Sequence, residues 1–332
     1  MKILRTHAPG GPETLVLDEI ADPVPGPGEV VVAVRACAIN FPDALMIRDL
    51  YQSKPTRPYA PGCEIAGVVE AVGEGVNAWR PGDRVFGLCH NGGLAERLLI
   101  AASDLFALPD GMDFDTGSAL LLTYGTTIYA LTDRARLRSG DTLLVLGAAG
   151  GVGISAIELG KAMGARVVAG VSTEDKADAA RQAGADAVVV YGRGPFDKAG
   201  SRALAEAFKA ACGPDGANVV YDIVGGDYAE PALRAIAWEG RYLVIGFTAG
   251  IPAIPLNLAL LKSCDICGVF WGAFRARDPQ RNAQLIRDLL ALVAAGKVSP
   301  RISARFPLER GGEAIALLEN RKAIGKVIVN PS

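Results

Sequence analysis

The stretch Leu146-Gly147-Ala148-Ala149-Gly150-Gly151-Val152-Gly153 limits the fold more than any other part of the chain. It follows the apolar run LLVLG and opens a helix-forming segment from Val152 to Met163, the strand–turn–helix setting of a dinucleotide fingerprint. Against G-x-G-x-x-G, Ala148 takes the first position and Gly150 and Gly153 fill the others. Gly150 would let backbone N–H groups approach a pyrophosphate, and Gly153 would let the helix pack closely on its strand. The uncovered helix start then offers donors and a positive dipole end to phosphate. A tight turn with no ligand is the alternative for such a loop taken alone. The surroundings decide between them. ARVVAGV precedes a helical stretch from Glu174 to Ala183, DAVVVY one near Ala203 to Ala211, and NVVYDIV one from Tyr228 to Ala237, before RYLVIGF closes the series. Such alternation implies βαβ units and a parallel sheet with helices on both faces.

The end of the second strand in that series selects the nucleotide. An NAD site places Asp or Glu there, roughly 20 residues beyond the loop, to hold the ribose hydroxyls. Here Ser172 stands at that point and Lys176 follows in the next helix. Without a carboxylate a 2′-phosphate meets no repulsion, the serine donates a hydrogen bond and the lysine supplies a point charge. NADPH is therefore favoured over NADH, although Glu174 and Asp175 lie close by and Lys176 is equally compatible with a solvated helix lysine.

The rest of the chain bounds the remaining possibilities. Its 332 residues exceed what one hydrophobic core usually serves, so two domains are expected. Before residue 117 the texture is one of short strands broken by Pro and Gly, with Val30 to Ala36 nearly all apolar, as in a strand buried on both faces. From Ser263 the chain leaves the βαβ series for an apolar strand (Ile266 to Phe270), a long amphipathic helix near Pro279 to Ala295 and a final strand, Lys326 to Val329. A formal net charge of −2 with interspersed signs gives no basic face for nucleic acid and no polybasic membrane segment. No uncharged apolar run reaches about eighteen residues, and the N-terminal MKILRTHAPGG has no apolar signal core, so neither a membrane span nor a secretory leader is expected. The cysteines Cys37, Cys63, Cys89, Cys212, Cys264 and Cys267 are scattered, which reads as reduced thiols in the cytoplasm.

AAGGVG after a strand, Gly82-Asp83-Arg84-Val85, the Ala38-Ile39-Asn40-Phe41-Pro42-Asp43 segment and the late Gly325-Lys326-Val327-Ile328-Val329 together resemble the zinc-independent medium-chain dehydrogenases/reductases. The chain is most similar there to the NADPH:quinone oxidoreductase family, which includes zeta-crystallin. The resemblance implies an α/β fold class: a GroES-like, β-barrel-type catalytic domain from residues 1–117 and 263–332, and a Rossmann domain, 118–262, that binds NADPH. It implies that Asn40 lies beside the nicotinamide, that Tyr51 is an active-site tyrosine, and that Thr127 faces the nicotinamide. Leu45 stands where many relatives carry a second tyrosine. Gly151 and Val152 would touch the pyrophosphate, and Ser172, Lys176 and Tyr191 would hold the 2′-phosphate end. Val224, Phe247 and the Phe270-Trp271-Gly272 stretch would border the nicotinamide ribose and substrate. A homodimer is implied, joined through sheet edges. Taken without the resemblance, Asn40 fits an Asx turn before Pro42, Tyr191 fits a core cap and Trp271 fits packing or a dimer contact.

A zinc centre needs three or four convergent ligands, and only His7 and His90 are available as histidines. Where zinc-dependent relatives carry Cys, a His-Glu pair and a second Cys, this chain offers Asn40, Cys63-Glu64 and a position near Thr123, so no metal is expected. Cys264-Asp265-Ile266-Cys267 has CxxC spacing without a second pair, and Cys89-His90 are adjacent. The chemistry expected is reduction of a quinone or α,β-unsaturated carbonyl, with developing oxyanion charge met by backbone N–H groups, Tyr51 or the Asn40 amide. An enoyl-thioester reductase is the second reading, with Arg275, Arg277 and Arg281 as its basic rim. A non-catalytic NADPH-binding or crystallin-like protein is the third.

Overall fold

The computed structural model describes residues 1–331. It divides into two units, Met1–Leu122 together with the chain from Pro300, and Thr123–Ser299. In chain order the strands are β1 (Lys2–Thr6), β2 (Leu15–Glu19), β3 (Glu29–Ile39), β4 (Glu64–Val72), β5 (Arg84–Leu88), β6 (Arg97–Ala101) and β7 (Leu105–Ala107). There follow β8 (Thr142–Leu146), β9 (Arg166–Val171), β10 (Ala187–Val190), β11 (Ala217–Asp222), β12 (Ile236–Val244), β13 (Asp265–Gly268), β14 (Ile302–Pro307) and β15 (Lys326–Asn330).

The first unit is built on β3. This valine-rich strand is almost wholly buried, because β4 and β15 flank it antiparallel and β6 pairs with its first half. β-Branched residues suit such a strand, since both faces of the pleat are packed. The sheet runs β14-β15-β3-β4-β5-β7, so the last strand of the chain is stitched beside an early one. The core gathers Val30, Val32, Val34, Ile39, Ile65, Val85, Val327 and Val329.

The second unit is a six-stranded sheet in the order β10-β9-β8-β11-β12-β13, parallel throughout. Helices Gly151–Ala162, Glu174–Gln182, Lys198–Cys212 and Ala229–Arg234 occupy the successive crossovers. The order reverses between β8 and β11, and open α/β sheets bind ligands at such a switch point, beyond the carboxyl ends of the strands. This is the doubly wound architecture the alternation predicts.

The seams differ from the expected ones. The second falls after Ser299 rather than after residue 262. The apolar strand following Ser263 pairs parallel with β12, with Tyr242 opposite Ile266, and so extends the parallel sheet instead of returning to the barrel. The Pro279–Ala294 helix stays with it and buries Leu285, Ile286 and Leu289. The first seam falls after Leu122, because the Phe114–Ser118 helix packs on β3 and β4. The helix expected from Tyr228 to Ala237 is shorter, Ala229–Arg234, since Ile236 already starts β12.

Strands β3 and β4 approach unusually closely at Gly67, where a Cβ would lie 2.1 Å from Ala33 O. That oxygen belongs to the backbone of the largely buried strand β3 and cannot step aside. Gly67→Ala is expected to destabilise the protein by about 3 kcal/mol, the upper range for overpacking, read as a lowered unfolding midpoint. An unchanged midpoint would show that the two strands part more easily than this spacing implies.

Candidate functional site

In the first unit, strand register assembles a buried polar cluster. Val327 lies opposite Ile39 in the β15–β3 pair and Ala38 opposite Glu64 in the β3–β4 pair. Lys326, Asn40 and Glu64, one step on or at the end of each strand, therefore meet. Lys326 Nζ donates to Glu64 Oε2 at 2.8 Å and to Asn40 Oδ1 at 2.6 Å. Asn40 Nδ2 donates to Glu64 Oε2 at 3.0 Å and to Ala38 O at 3.1 Å. Glu64 Oε1 accepts the Leu122 N–H at 2.8 Å. Lys326 is 3% exposed and Glu64 0%, so this ion pair is cut off from water.

Asn40 also starts the Phe41–Ile47 helix, where it is the N-cap with a proline just inside, a favoured arrangement. Asp43 closes the turn: its Oδ2 accepts the Asn40 N–H at 2.7 Å and its Oδ1 the Gly62 N–H at 2.8 Å. Burial pushes the Asp43 carboxyl up to about 6, against the pull of those two N–H groups. Burial also drives the Cys63 and Cys37 thiols well above their usual range, with Asp43 adding to it. Both thiols therefore stay protonated. Tyr51 lies near enough to Cys63 and Asp43 for their charges to add to burial in raising its phenol. The structure thus brings Asn40 and Tyr51 into one neighbourhood, and it spends both N–H bonds of the Asn40 amide internally. That removes Asn40 as an oxyanion donor, since a side-chain amide has no third N–H to offer.

In the second unit, the glycine loop joins β8 to the Gly151–Ala162 helix, whose N-cap is Gly150 with no side chain capping it. Gly147 has φ +67, and a Cβ at Gly153 would lie 2.4 Å from Gly147 O, so both positions require glycine. At Gly150 a Cβ would find only an ordinary contact, 3.7 Å from Gly147 O, which leaves room above the helix start beside Gly151 and Val152. These residues fit a pyrophosphate: bare helix-start donors, a loop without side chains and a switch-point crevice. Val224 comes to the same place from the end of β11 and packs against Gly147. Asp222 sets its loop by accepting the Val224 and Gly225 N–H groups at 2.7 and 2.9 Å, and Phe247 lies against Gly225. At the end of β9, Lys176 Nζ donates to Ser172 Oγ at 3.3 Å.

Other expected residues make internal contacts. Tyr191 is turned inward, and its hydroxyl accepts the Gly147 N–H at 3.2 Å. Thr127 has no exposed surface. Its Oγ1 donates to Thr123 O at 2.8 Å and sits 2.7 Å from Ser155 Oγ and 2.8 Å from Tyr221 Oη. Trp271 is 4% exposed, donates to Asn282 Oδ1 at 2.9 Å and presses its ring on Gly125, the packing alternative noted for it. Phe270 beside it is exposed, as is Gly272. Arg281 is held by Asp133 at 2.8 Å, which removes it from a free basic rim. Sequence reasoning missed Lys326 and the part played by Asp43. The signal for Lys326 was present as a charge at the start of an apolar segment, before VIV.

Known proteins match both units. An alcohol dehydrogenase GroES-like domain model matches residues 26–110 and a zinc-binding dehydrogenase model residues 151–290. Quinone oxidoreductase-like protein 2 homolog of Nematostella vectensis is 36% identical over 324 residues, covering 96% of this chain and 86% of that protein. Human quinone oxidoreductase is 31% identical over 333 residues, covering 99% and 97%. Among solved structures, Escherichia coli quinone oxidoreductase complexed with NADPH superposes with a TM-score of 0.89 at 29% identity, covering 100% of each chain.

The second model's description raises zinc, and the donors present do not fit it. Among the described residues no three His, Cys, Asp or Glu side chains group as a metal site. The one carboxylate at the equivalent place, Glu64, is committed to an ammonium and an amide, and the neighbouring Cys63 thiol is held protonated when zinc needs a thiolate. Lys326→Met would leave Glu64 buried without its cation, at a cost of about 3–5 kcal/mol. The pair Glu64→Gln with Lys326→Met removes both charges and should regain at least half of that loss in a denaturant melt. Equal instability of the single and double variants would show that the charges are not what matters there.

Proposed function

The chain belongs to the quinone oxidoreductase family of the zinc-independent medium-chain dehydrogenases/reductases, and from that premise we propose that it is an NADPH-dependent reductase of quinones or α,β-unsaturated carbonyls. The observation that carries this reading is the closed Lys326–Glu64 ion pair, which engages the one carboxylate at that place, with no other donor set for a Lewis acid among the described residues. Alcohol oxidation in this kind of fold depends on a metal to polarise oxygen. A conjugated acceptor spreads its developing charge over an enolate or hydroquinone oxygen and needs less help. NADPH, when bound, supplies the hydride.

The chain's own residues then have separate tasks. The Gly150–Gly153 loop and the helix behind it hold the pyrophosphate. Ser172 and Lys176 face the 2′-phosphate where a carboxylate would repel it. Val224 and Phe247 border the nicotinamide end. In the first unit Asn40 has its amide locked and is a rigid part of the proposed site, and in the second Thr127 and Trp271 support from within. Tyr51 supplies the oxyanion donor, because its raised phenol stays protonated at neutral pH and can also return the proton. The free thiols suit a reducing compartment, the cytoplasm, and no described helix is long and apolar enough to cross a membrane. The exposed Leu256, Leu260, Leu261 and Ile266 beside the edge strand β13 suit a second copy of the chain as partner.

Three acceptors test this reading: a benzoquinone, a small enone and an enoyl-CoA, each with NADPH. Turnover of the quinone or enone should exceed that of the thioester by about tenfold, because Arg281 is already paired. Tyr51→Phe should lower kcat by about 100-fold, the usual worth of one positioned proton donor. Inertness toward all three, with a melting temperature that still rises on adding NADPH, would replace the reductase by a cofactor-binding protein.

A further inference from the structure

We propose that Cys63 and Cys89 form a reversible disulfide when the protein meets a peroxide, with Cys89 as the oxidised thiol and Cys63 as its resolving partner. Strand register makes them a pair. Glu64 lies opposite Leu88 and Ile65 opposite Gly87 in the antiparallel β4–β5 ladder. One step before Glu64 the Cys89 N–H donates to Cys63 O at 2.9 Å, so the two cysteines face each other as the next rung. Opposed residues of a hydrogen-bonded antiparallel pair stand about 5.5 Å apart at Cα. Disulfides most often close at about 5.5–6 Å, so this bridge needs no movement of the backbone. The segments that flank it are also tied together, with the Gly92 N–H donating to Ala60 O at 2.8 Å and the Gly93 N–H to Gly62 O at 2.9 Å. The same sheet excludes the third thiol of this unit. Cys37 lies on β3 opposite Ile65, with β4 between it and β5. Two strand spacings separate it from the β5 line, about 9.6 Å, and Cys63 is its diagonal neighbour at about 7–8 Å. A bridge needs Cα atoms within about 7 Å.

Exposure sets the order of reaction. Cys37 is 0% and Cys63 8% exposed, and burial holds both thiols protonated. Cys89 is partly exposed, with its Sγ donating to Gly62 O at 3.3 Å, so peroxide reaches it first. The thiolate is the nucleophile. Its sulfur attacks one peroxide oxygen, and the S–O bond forms as the O–O bond breaks. The second oxygen leaves as water, taking the proton the thiol gave up. Cys63 Sγ then attacks the sulfenic sulfur, the S–S bond forms and the S–O bond breaks. The departing hydroxide takes the Cys63 proton and leaves as water. Two thiols have then lost two electrons and two protons to one hydrogen peroxide, which ends as two waters. The bridge protects Cys89, because a sulfenic acid with no partner goes on to sulfinic acid, which thiols do not reduce. In a reducing compartment such a bond is transient, formed under oxidant and reopened by cellular thiols. It lies beside the buried polar cluster, where Asn40 Nδ2 is 4.0 Å from Cys63 Sγ.

The test treats the full, reduced chain with hydrogen peroxide, quenches it in acid, unfolds it and alkylates the remaining thiols. Peptides are then mapped by mass spectrometry, with and without dithiothreitol before alkylation. The wild type should give a linked pair of peptides carrying Cys63 and Cys89, and dithiothreitol should return both as alkylated thiols. Cys63→Ser should instead accumulate sulfinic acid on Cys89 that dithiothreitol does not remove. Cys37→Ser should form the same Cys63–Cys89 link as the wild type. A wild type in which Cys63 is still alkylated after Cys89 has been oxidised, or in which Cys89 is linked to Cys37, overturns the proposal. So does a Cys89 that peroxide leaves unchanged. The wild-type map decides the matter by itself should Cys63→Ser not fold, and it reads thiols alone, so its outcome is independent of the reductase reading.

Discussion

The ion pair between Lys326 and Glu64 is the constraint on which the first unit depends. It joins residues 262 positions apart in sequence, and with Asn40 it ties β15, β3 and β4 into one arrangement. Two charges taken out of water gain nothing unless each is fully partnered. Here every oxygen of Glu64 is engaged, the Asn40 amide is satisfied at both ends, and the Leu122 N–H closes the ring. Register slippage of either strand pair by one residue would turn a charge into the apolar core. The ion pair therefore specifies the register as well as filling the space. It also fixes the chemistry available, since a carboxylate held this way is no metal ligand and an amide held this way is no oxyanion donor.

The second unit follows a different logic. Its site is made by backbone, at a place where side chains are kept out. Gly153 lets the helix close on Gly147 O, Gly150 leaves the helix start bare, and the crevice lies where strand order reverses between β8 and β11. Side chains act from beneath this surface: Asp222 orders the loop that carries Val224, and Tyr191 holds Gly147. Buried hydroxyls of Thr127, Ser155 and Tyr221 link helix to sheet below.

Much of this was legible in the sequence because it is local. The glycine loop, the strand–helix alternation and the Ser172–Lys176 pair each declare themselves within a few residues, and a loop that binds through its backbone must be read from its glycines. What escaped was non-local. The CDIC strand reads as apolar wherever it is placed, and only its pairing with β12 moves the seam from residue 262 to Ser299. Lys326 looks like an ordinary first residue of a strand until β15 is set beside β3. Trp271 and Tyr191 carry no sign in the sequence of which way they turn, and packing on Gly125 and Gly170 decides it. The family resemblance located these residues near function; their contacts assign the work.

The central claim is that an internal ion pair stands where related folds place a metal. It is tested most directly by dialysing the active protein against a strong chelator, measuring bound zinc by atomic absorption and following NADPH-dependent quinone reduction. The account predicts zinc far below one equivalent before dialysis and unchanged turnover after it. Stoichiometric zinc whose removal abolishes turnover, and whose return restores it, would contradict the account.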